Sequence, residues 1–476
     1  MSNLTKRYGV LLASSLALSG CAGFSDDGGL GSVRETVKSL GGQEIAWPRT
    51  IAERTEVESR VDALLAKPAL DVEDAVQLAL LNNRGLRATF HELGASEADL
   101  VQAGRLPNPR FSMLRASRRT DEGAREYKIE QAITANVFAL VTMPLALEVE
   151  RRRFASAQRS TALEVLQLGA ETRKAYVSAL GAEESVRYLR QVRRIADASA
   201  ELARRMAQTG NFNKLRQARE HGFYADAALN LARAEQAQAV TRERLTRLLG
   251  LWGTQVQFRL PERLPDLPAD ASDIPDLERE AMARRLDVQA ARSGTEALAK
   301  NLGLTKVTRF LSVIEFGPAR VLEGERSAGF KRGYEIAFEI PLFDWGTARV
   351  ARAESIYMQA VNRTAAIAID ARSEVRAAYS AYRSSYDIAR HYRDEIVPIR
   401  KRVADENLLR YNGMLIGVFE LLADARAQIA SVNAYIESLR DFWLAKADLD
   451  MAMIGKPLPS TTPLMAPSAS SPSAGH

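Results

Sequence analysis

One stretch constrains the fold more than any other: Tyr334-Glu335-Ile336-Ala337-Phe338-Glu339-Ile340-Pro341-Leu342-Phe343-Asp344-Trp345-Gly346-Thr347. Tyr334, Ile336, Phe338 and Ile340 alternate with Glu335, Ala337 and Glu339, a period of two that predicts a strand. Pro341 lacks a backbone donor and ends the ladder. Asp344 and Thr347 are each suited to cap the helix that follows, whose apolar period stays near 3.6 for dozens of residues. An earlier stretch has the same grammar. Tyr127, Ile129, Gln131, Ile133, Ala135 and Val137 alternate, Met143-Pro144-Leu145 stands where Ile340-Pro341-Leu342 stands, and a long helix is predicted from Glu148. Pro144, Pro341, Asp344 and Trp345 are therefore read as strand-to-helix corners. Few soluble folds need an alternating strand pair that feeds a very long helix twice. A β-barrel in a membrane continued by a tube of helices does.

Read in order, the chain divides at glycine and proline clusters. Residues 1–20 hold Lys6 and Arg7 before the apolar run Val10 to Leu18, the pattern of a secretory signal with a core too short to span a bilayer. Residues 21–70 are an irregular lead-in, expected near mid-height of the helices. Residues 71–250 form a first repeat of helix (71–104), β-hairpin (110–119 and 126–137 around Thr120-Asp121-Glu122-Gly123) and long helical hairpin, which turns at Thr209-Gly210-Asn211-Phe212-Asn213. Residues 251–275, with Pro261, Pro265, Pro268 and Pro275, form a connector. Residues 276–455 repeat the plan: helix to about Gly303, a hairpin of 309–316 and 332–340 around Gly317-Pro318 and Gly324, helix from Thr347 to Arg410, a turn at Asn412-Gly413, and a return helix from Gly417. Pro398 is expected to kink the long helix, and Val375, Tyr379, Tyr382, Tyr386 and Ala389 form a heptad-like seam. Residues 456–476, rich in Pro, Ser and Ala, read as a disordered tail.

Leu18-Ser19-Gly20-Cys21 resembles a bacterial lipobox, which implies cleavage before Cys21 and lipidation of its thiol. Cys21 is the only cysteine, so no internal disulfide can form. Without residues 1–20 the chain carries 63 basic and 59 acidic residues, a net charge of only +4. No basic stripe is interleaved with aromatics, which argues against nucleic-acid binding.

This layout resembles the TolC-type outer-membrane factor family of bacterial efflux and secretion systems, in its lipoprotein branch. The likeness covers about residues 71–455. It rests on Gly104-Arg105-Leu106-Pro107-Asn108-Pro109 before the first strand, Pro341-Leu342-Phe343-Asp344-Trp345-Gly346 after the fourth, and Arg410-Tyr411-Asn412-Gly413 leading to Phe419-Glu420-Leu421-Leu422. The resemblance implies an α+β membrane protein: a homotrimer whose chains each give four strands to a twelve-stranded β-barrel, continued by a periplasmic α-helical barrel. It implies an exit duct in the outer membrane, joined through a periplasmic adaptor to an inner-membrane transporter of the RND kind or similar. The first copy departs from the pattern, since Met143-Pro144-Leu145-Ala146-Leu147 lacks the Phe-Asp-Trp-Gly of the second.

Under that resemblance Gly210, Asn211, Asn412 and Gly413 mark the periplasmic tip that meets the adaptor, with both glycines required for the reversals. Glu420 and Asp424, four apart on one helix face, are candidates for an acidic constriction ring. A solvated face partnered by Arg426 is the plainer alternative. Glu335 and Glu339 oppose the apolar face of the last strand and are expected to line the lumen. Arg151, Arg152 and Arg153 follow the first corner, where they either meet lipid phosphates or form a solvated cluster. Enzyme chemistry finds no foothold: His91, His221, His391 and His476 are scattered, no metal spacing or nucleophile motif is present, and no cofactor is expected. The rival from another class is a periplasmic coiled-coil lipoprotein without a pore, which gives the alternating strands no purpose.

Overall fold

The computed structural model describes residues 23–119, 125–311 and 313–457. The signal segment, Cys21, the hairpin turn at 120–123 and all but the first two residues of the tail lie outside them. The fold is mostly helical with one four-stranded sheet. In order come α1 (Leu30–Gly41), α2 (Ile51–Leu65), α3 (Val72–Asn82), α4 (Arg84–Ala103), β1 (Arg110–Arg119), β2 (Arg125–Asn136), α5 (Val137–Gln208) and α6 (Lys214–Leu249). Then follow α7 (Leu277–Arg284), α8 (Leu286–Val307), β3 (Ile314–Gly324), β4 (Lys331–Phe338), α9 (Thr347–His391), α10 (Val397–Asn412) and α11 (Val418–Ile454). The chain forms two compact units. One comprises Met1–Gly42, Arg84–Glu164 and Leu286–Asp370, and the other Gln43–Asn83, Val165–Arg285 and Ala371–His476.

The first unit holds the sheet, antiparallel throughout in the order β1-β2-β3-β4. Three expectations change here. Gly317-Pro318 is not a turn; β3 runs through it, with Pro318 opposite Tyr334. A Cβ at residue 317 would lie 1.8 Å from the Ile133 carbonyl oxygen, so glycine is what lets β3 close against β2. Pro144 is not a corner either. The Asn136 side chain accepts from Ala139 N at 3.0 Å, so α5 starts directly after β2 and carries Pro144 inside it. Glu339 falls outside β4, because β3 begins only at Ile314, whose partner is Phe338. The second corner is a real one. Asp344 Oδ1 accepts from Gly346 N at 2.8 Å, and Gly346 has φ +71 and no room for a Cβ beside the Arg309 carbonyl.

The second unit holds a core of Val57, Val61, Leu78, Tyr176, Leu245, Leu249, Tyr382, Tyr386, Phe442 and their neighbours. The proline-rich connector contributes Phe258, Leu260, Leu264 and Leu267 to it. Its backbone takes hydrogen bonds from Trp443 Nε1 (to Pro265 O, 3.0 Å) and gives one to Tyr382 Oη (from Ser272 N, 2.9 Å). The heptad-like seam is thus buried, yet its tyrosines serve the connector and Phe442 as well as a neighbouring helix. At Pro398, which cannot donate to residue 394, the backbone runs as a π-helix over Tyr392–Ile396 before α10 begins.

The helices expected as continuous over 71–104 and 276–303 are each broken once, at Asn83 (ψ 122) and Arg285 (ψ 118). Both breaks satisfy carbonyls that a helix end leaves without partners. Asn82 Nδ2 donates to Gly250 O at 2.8 Å, and Asn83 Nδ2 to Leu248 O at 3.0 Å, at the end of α6. Arg285, 1% exposed, donates to Ala452 O at 3.2 Å near the end of α11 and pairs with Glu374 at 2.6 Å. Replacing Arg285 by Ala leaves Glu374 and those carbonyls unpaired. We expect it to cost about 3 kcal/mol, read as earlier unfolding of the detergent-extracted protein in denaturant. Unfolding at the wild-type midpoint would contradict this role.

Candidate functional site

The two helix turns lie in the second unit and close in the same way. At the first, Gly210 takes φ +79 and Asn211 N donates to Met206 O at 2.9 Å, the six-residue closure of a helix C-terminus. The Asn213 side chain then caps α6 by accepting from Arg216 N at 2.8 Å. At the second turn Leu415 N donates to Arg410 O at 2.9 Å, the same closure. Here the expectation for Gly413 fails. Gly413 has φ −80, open to any residue, and the left-handed position is Met414 at φ +59. The glycine sits one residue before the position where helix closure needs it. Met414 and Leu415 are 93% and 78% exposed, and Asn211 and Asn412 are exposed too. Two and a half turns before Gly210, Glu201 accepts from Arg204 and Arg205, which hold its carboxyl down at about 2.

Glu420 and Asp424 both lie on α11, but only Glu420 is exposed. Asp424 is half-buried and accepts a hydrogen bond from Asn407 of α10. Arg426 partners neither. It turns to Glu220 of α6, at 2.6 Å, and stacks over Phe223 with its guanidinium carbon 4.2 Å from the ring centre. Glu220 is 3% exposed and also accepts from Ser199 Oγ of α5 at 2.7 Å. One buried carboxylate therefore ties three helices. Beside it Arg193 donates to Tyr224 Oη at 2.7 Å and lies 4.4 Å over that ring. Nothing in the local sequence marks Glu220, which reads as one more charged residue on a solvated helix.

The sheet sorts its side chains by face. Directly opposed residues share a face, which puts Glu335, Gly317 and Thr134 together on one side. That side carries both signs of charge, joined in the ion pairs Arg118–Glu126 (2.7 Å), Lys128–Glu130 (2.9 Å) and Arg110–Glu315 (3.2 Å). The other side carries Phe111, Ile133, Phe316, Tyr334, Ile336 and Phe338, each about half exposed or more. Below it Phe343 is 98% exposed, and Trp345 packs edge-on to Phe310 at 6.2 Å. Arg152 and Arg153 are spent on Glu148, Glu296 and Glu150. Among the described residues no three His, Cys, Asp or Glu side chains gather as metal ligands, and no helix is long and apolar enough to cross a membrane.

Comparison with known proteins bears on this arrangement. The model of the outer membrane efflux protein family matches residues 75–251. The cobalt-zinc-cadmium resistance protein CzcC of Cupriavidus metallidurans is 25% identical over 290 residues, 58% of this chain and 64% of that relative, so the match spans less than two thirds of its length. A membrane protein from Pseudomonas aeruginosa shares the fold at a TM-score of 0.70 and 19% identity, over 83% of this chain and 95% of that one. CusC, described by its transmembrane channel formation, does so at 0.67 and 18%, over 81% and 92%.

The left-handed Met414 yields a test. An L-residue other than glycine at such a position costs about 1–2 kcal/mol, so Met414→Gly is expected to stabilise the protein by about 1 kcal/mol in denaturant unfolding. A destabilised variant would show that the Met414 side chain makes contacts that outweigh the strain.

Proposed function

We propose, from the premise that this chain belongs to the TolC-type outer membrane efflux protein family, that it is the passive outer-membrane exit duct of a tripartite efflux or type I secretion-like system. The observation that carries this reading is the four-stranded sheet, with one apolar, exposed face and with β1 and β4 each unpaired along one edge. Unpaired edges are not tolerated in lipid, so the sheet must close with copies of itself. Three chains give twelve strands, the number the family resemblance implies. The side bearing Phe338 and Tyr334 then meets lipid, and the ion-paired side bearing Glu335 lines a wet lumen. The shared break and turn geometries in the two halves support two internal repeats.

In this reading the helices form a periplasmic barrel, with Gly210, Asn211, Asn412 and Met414 at the tip that meets the adaptor. Glu420, one per chain, forms the acidic ring, and Asp424 holds α10 to α11 behind it. Cys21 carries the lipid anchor, and residues 1–20 are removed. Energy comes from the inner-membrane pump, and the duct does no chemistry on its cargo. The name of CzcC makes cobalt, zinc and cadmium the cargoes to test first. A coiled-coil lipoprotein without a pore leaves the apolar sheet face exposed to water for no return.

The two faces separate these readings. Phe338→Arg is expected to impair insertion and trimer formation, since a cation on the lipid face costs up to about 2–4 kcal/mol per chain, depending on its depth. Glu335→Arg should assemble normally. Both variants behaving alike in membrane fractionation and native electrophoresis would count against the duct.

A further inference from the structure

The apolar face of the sheet also carries a charge asymmetry that the duct reading does not use. Arg115, Arg119, Arg125, Arg320 and Arg332 all lie on this face by the strand register. No acidic residue of the described strands shares it, although the opposite face balances its own charges in ion pairs. All five are exposed. Arg320 makes the hydrogen bond to Gln131 Oε1 at 2.6 Å and stacks near Phe330 at 4.9 Å, neither of which neutralises it.

Their heights are ordered. Arg320 and Arg332 sit in one row, directly beyond the apolar row of Phe111, Ile133 and Tyr334 on the side away from the helices. Arg115 is one row farther, and Arg119 with Arg125 two rows beyond that. Rows on one face are about 6.7 Å apart, so the arginines span about 20 Å along the strands, in rows shared with Met113, Ile129 and Leu322. Cations facing a bilayer are matched by anionic headgroups, and guanidinium forks suit phosphate. A column of this height is deeper than the single phosphate plane of a phospholipid and fits a headgroup with phosphates and acidic sugars at several depths.

Resting on the duct reading, we infer that the outward arginine column is a binding site for the phosphorylated glycolipid of the outer leaflet. The lipid docks its acyl chains on Phe111, Ile133 and Tyr334 and its phosphates on Arg320, Arg332 and Arg115. The trimer carries the site three times.

The test uses the detergent-extracted full-length protein and bis-phosphorylated lipid A as the probe, with binding read by native mass spectrometry. Wild type should bind it, and the triple variant Arg115→Gln, Arg320→Gln, Arg332→Gln should bind about a hundredfold more weakly, as removal of three cations from an anionic lipid site implies. The corresponding Lys triple variant should retain most of the affinity. Dephosphorylated lipid A and phosphatidylglycerol should both bind weakly. Equal binding of wild type and the Gln variant, with both running as the same trimer, overturns the site and leaves the duct intact. Phosphatidylglycerol binding as well as lipid A overturns the glycolipid assignment. If the Gln variant does not assemble, the wild type decides: affinity unchanged by high salt overturns the inference, and a steep fall supports it. A wild-type protein that forms no barrel overturns the duct and this inference together.

Discussion

Backbone hydrogen bonding at the two edges of the sheet is the constraint on which the rest depends. Four strands pair among themselves and leave one side of β1 and one side of β4 with free donors and acceptors. Water can satisfy those groups, but water also penalises the exposed Phe111, Ile133, Tyr334, Ile336 and Phe338 on one face. Lipid accepts that face and penalises the edges. Only closure of the sheet inside a bilayer meets both demands, and a sheet of four strands cannot close on itself. In the proposed duct, self-association and membrane insertion are therefore one requirement. The matched family model and the fold neighbours are consistent with this.

A second kind of hydrogen-bond accounting governs the helices. Long rods concentrate unsatisfied groups at their ends, and this chain meets several of these ends with specific devices. Gly210, Met414 and Gly250 close C-termini in the left-handed region, and Asn82, Asn83 and Arg285 bring side chains to the last carbonyls of α6 and α11. The buried Glu220, shared by Ser199 and Arg426, locks α5, α6 and α11 side by side. Removing Arg426 strands the buried Glu220 charge, so the cluster fixes the helices more than it adds to their net stability.

Much of the fold could be read from residues because the signals were local. β1 follows from the stretch between the prolines at 107 and 109 and the polar turn at Thr120, both helix turns from Gly and Asn breaking a 3.6 period, and the second corner from Asp344 and Gly346. Several of the failures involve partners far away in sequence, and two are local shifts of a few residues. Gly317-Pro318 looks like a turn until Ile133 is seen to need the missing Cβ. Asn136 outranks Pro144 as a helix start, and Asn83 and Arg285 break helices to reach carbonyls more than 160 residues away. Gly413 was credited with a conformation that Met414 adopts, one residue on. The candidate site divides likewise: the turns and the face of the sheet that carries Glu335 follow from local patterns, whereas Arg426 pairs with a carboxylate no motif announces.

The central claim, that the sheets of several copies close into a membrane barrel continued by a helical tube, is tested most directly by electron microscopy of the detergent-extracted protein. The account predicts a hollow particle with threefold symmetry, a short barrel at one end and a long tube beyond it. A solid rod or a small single-chain globule would contradict it.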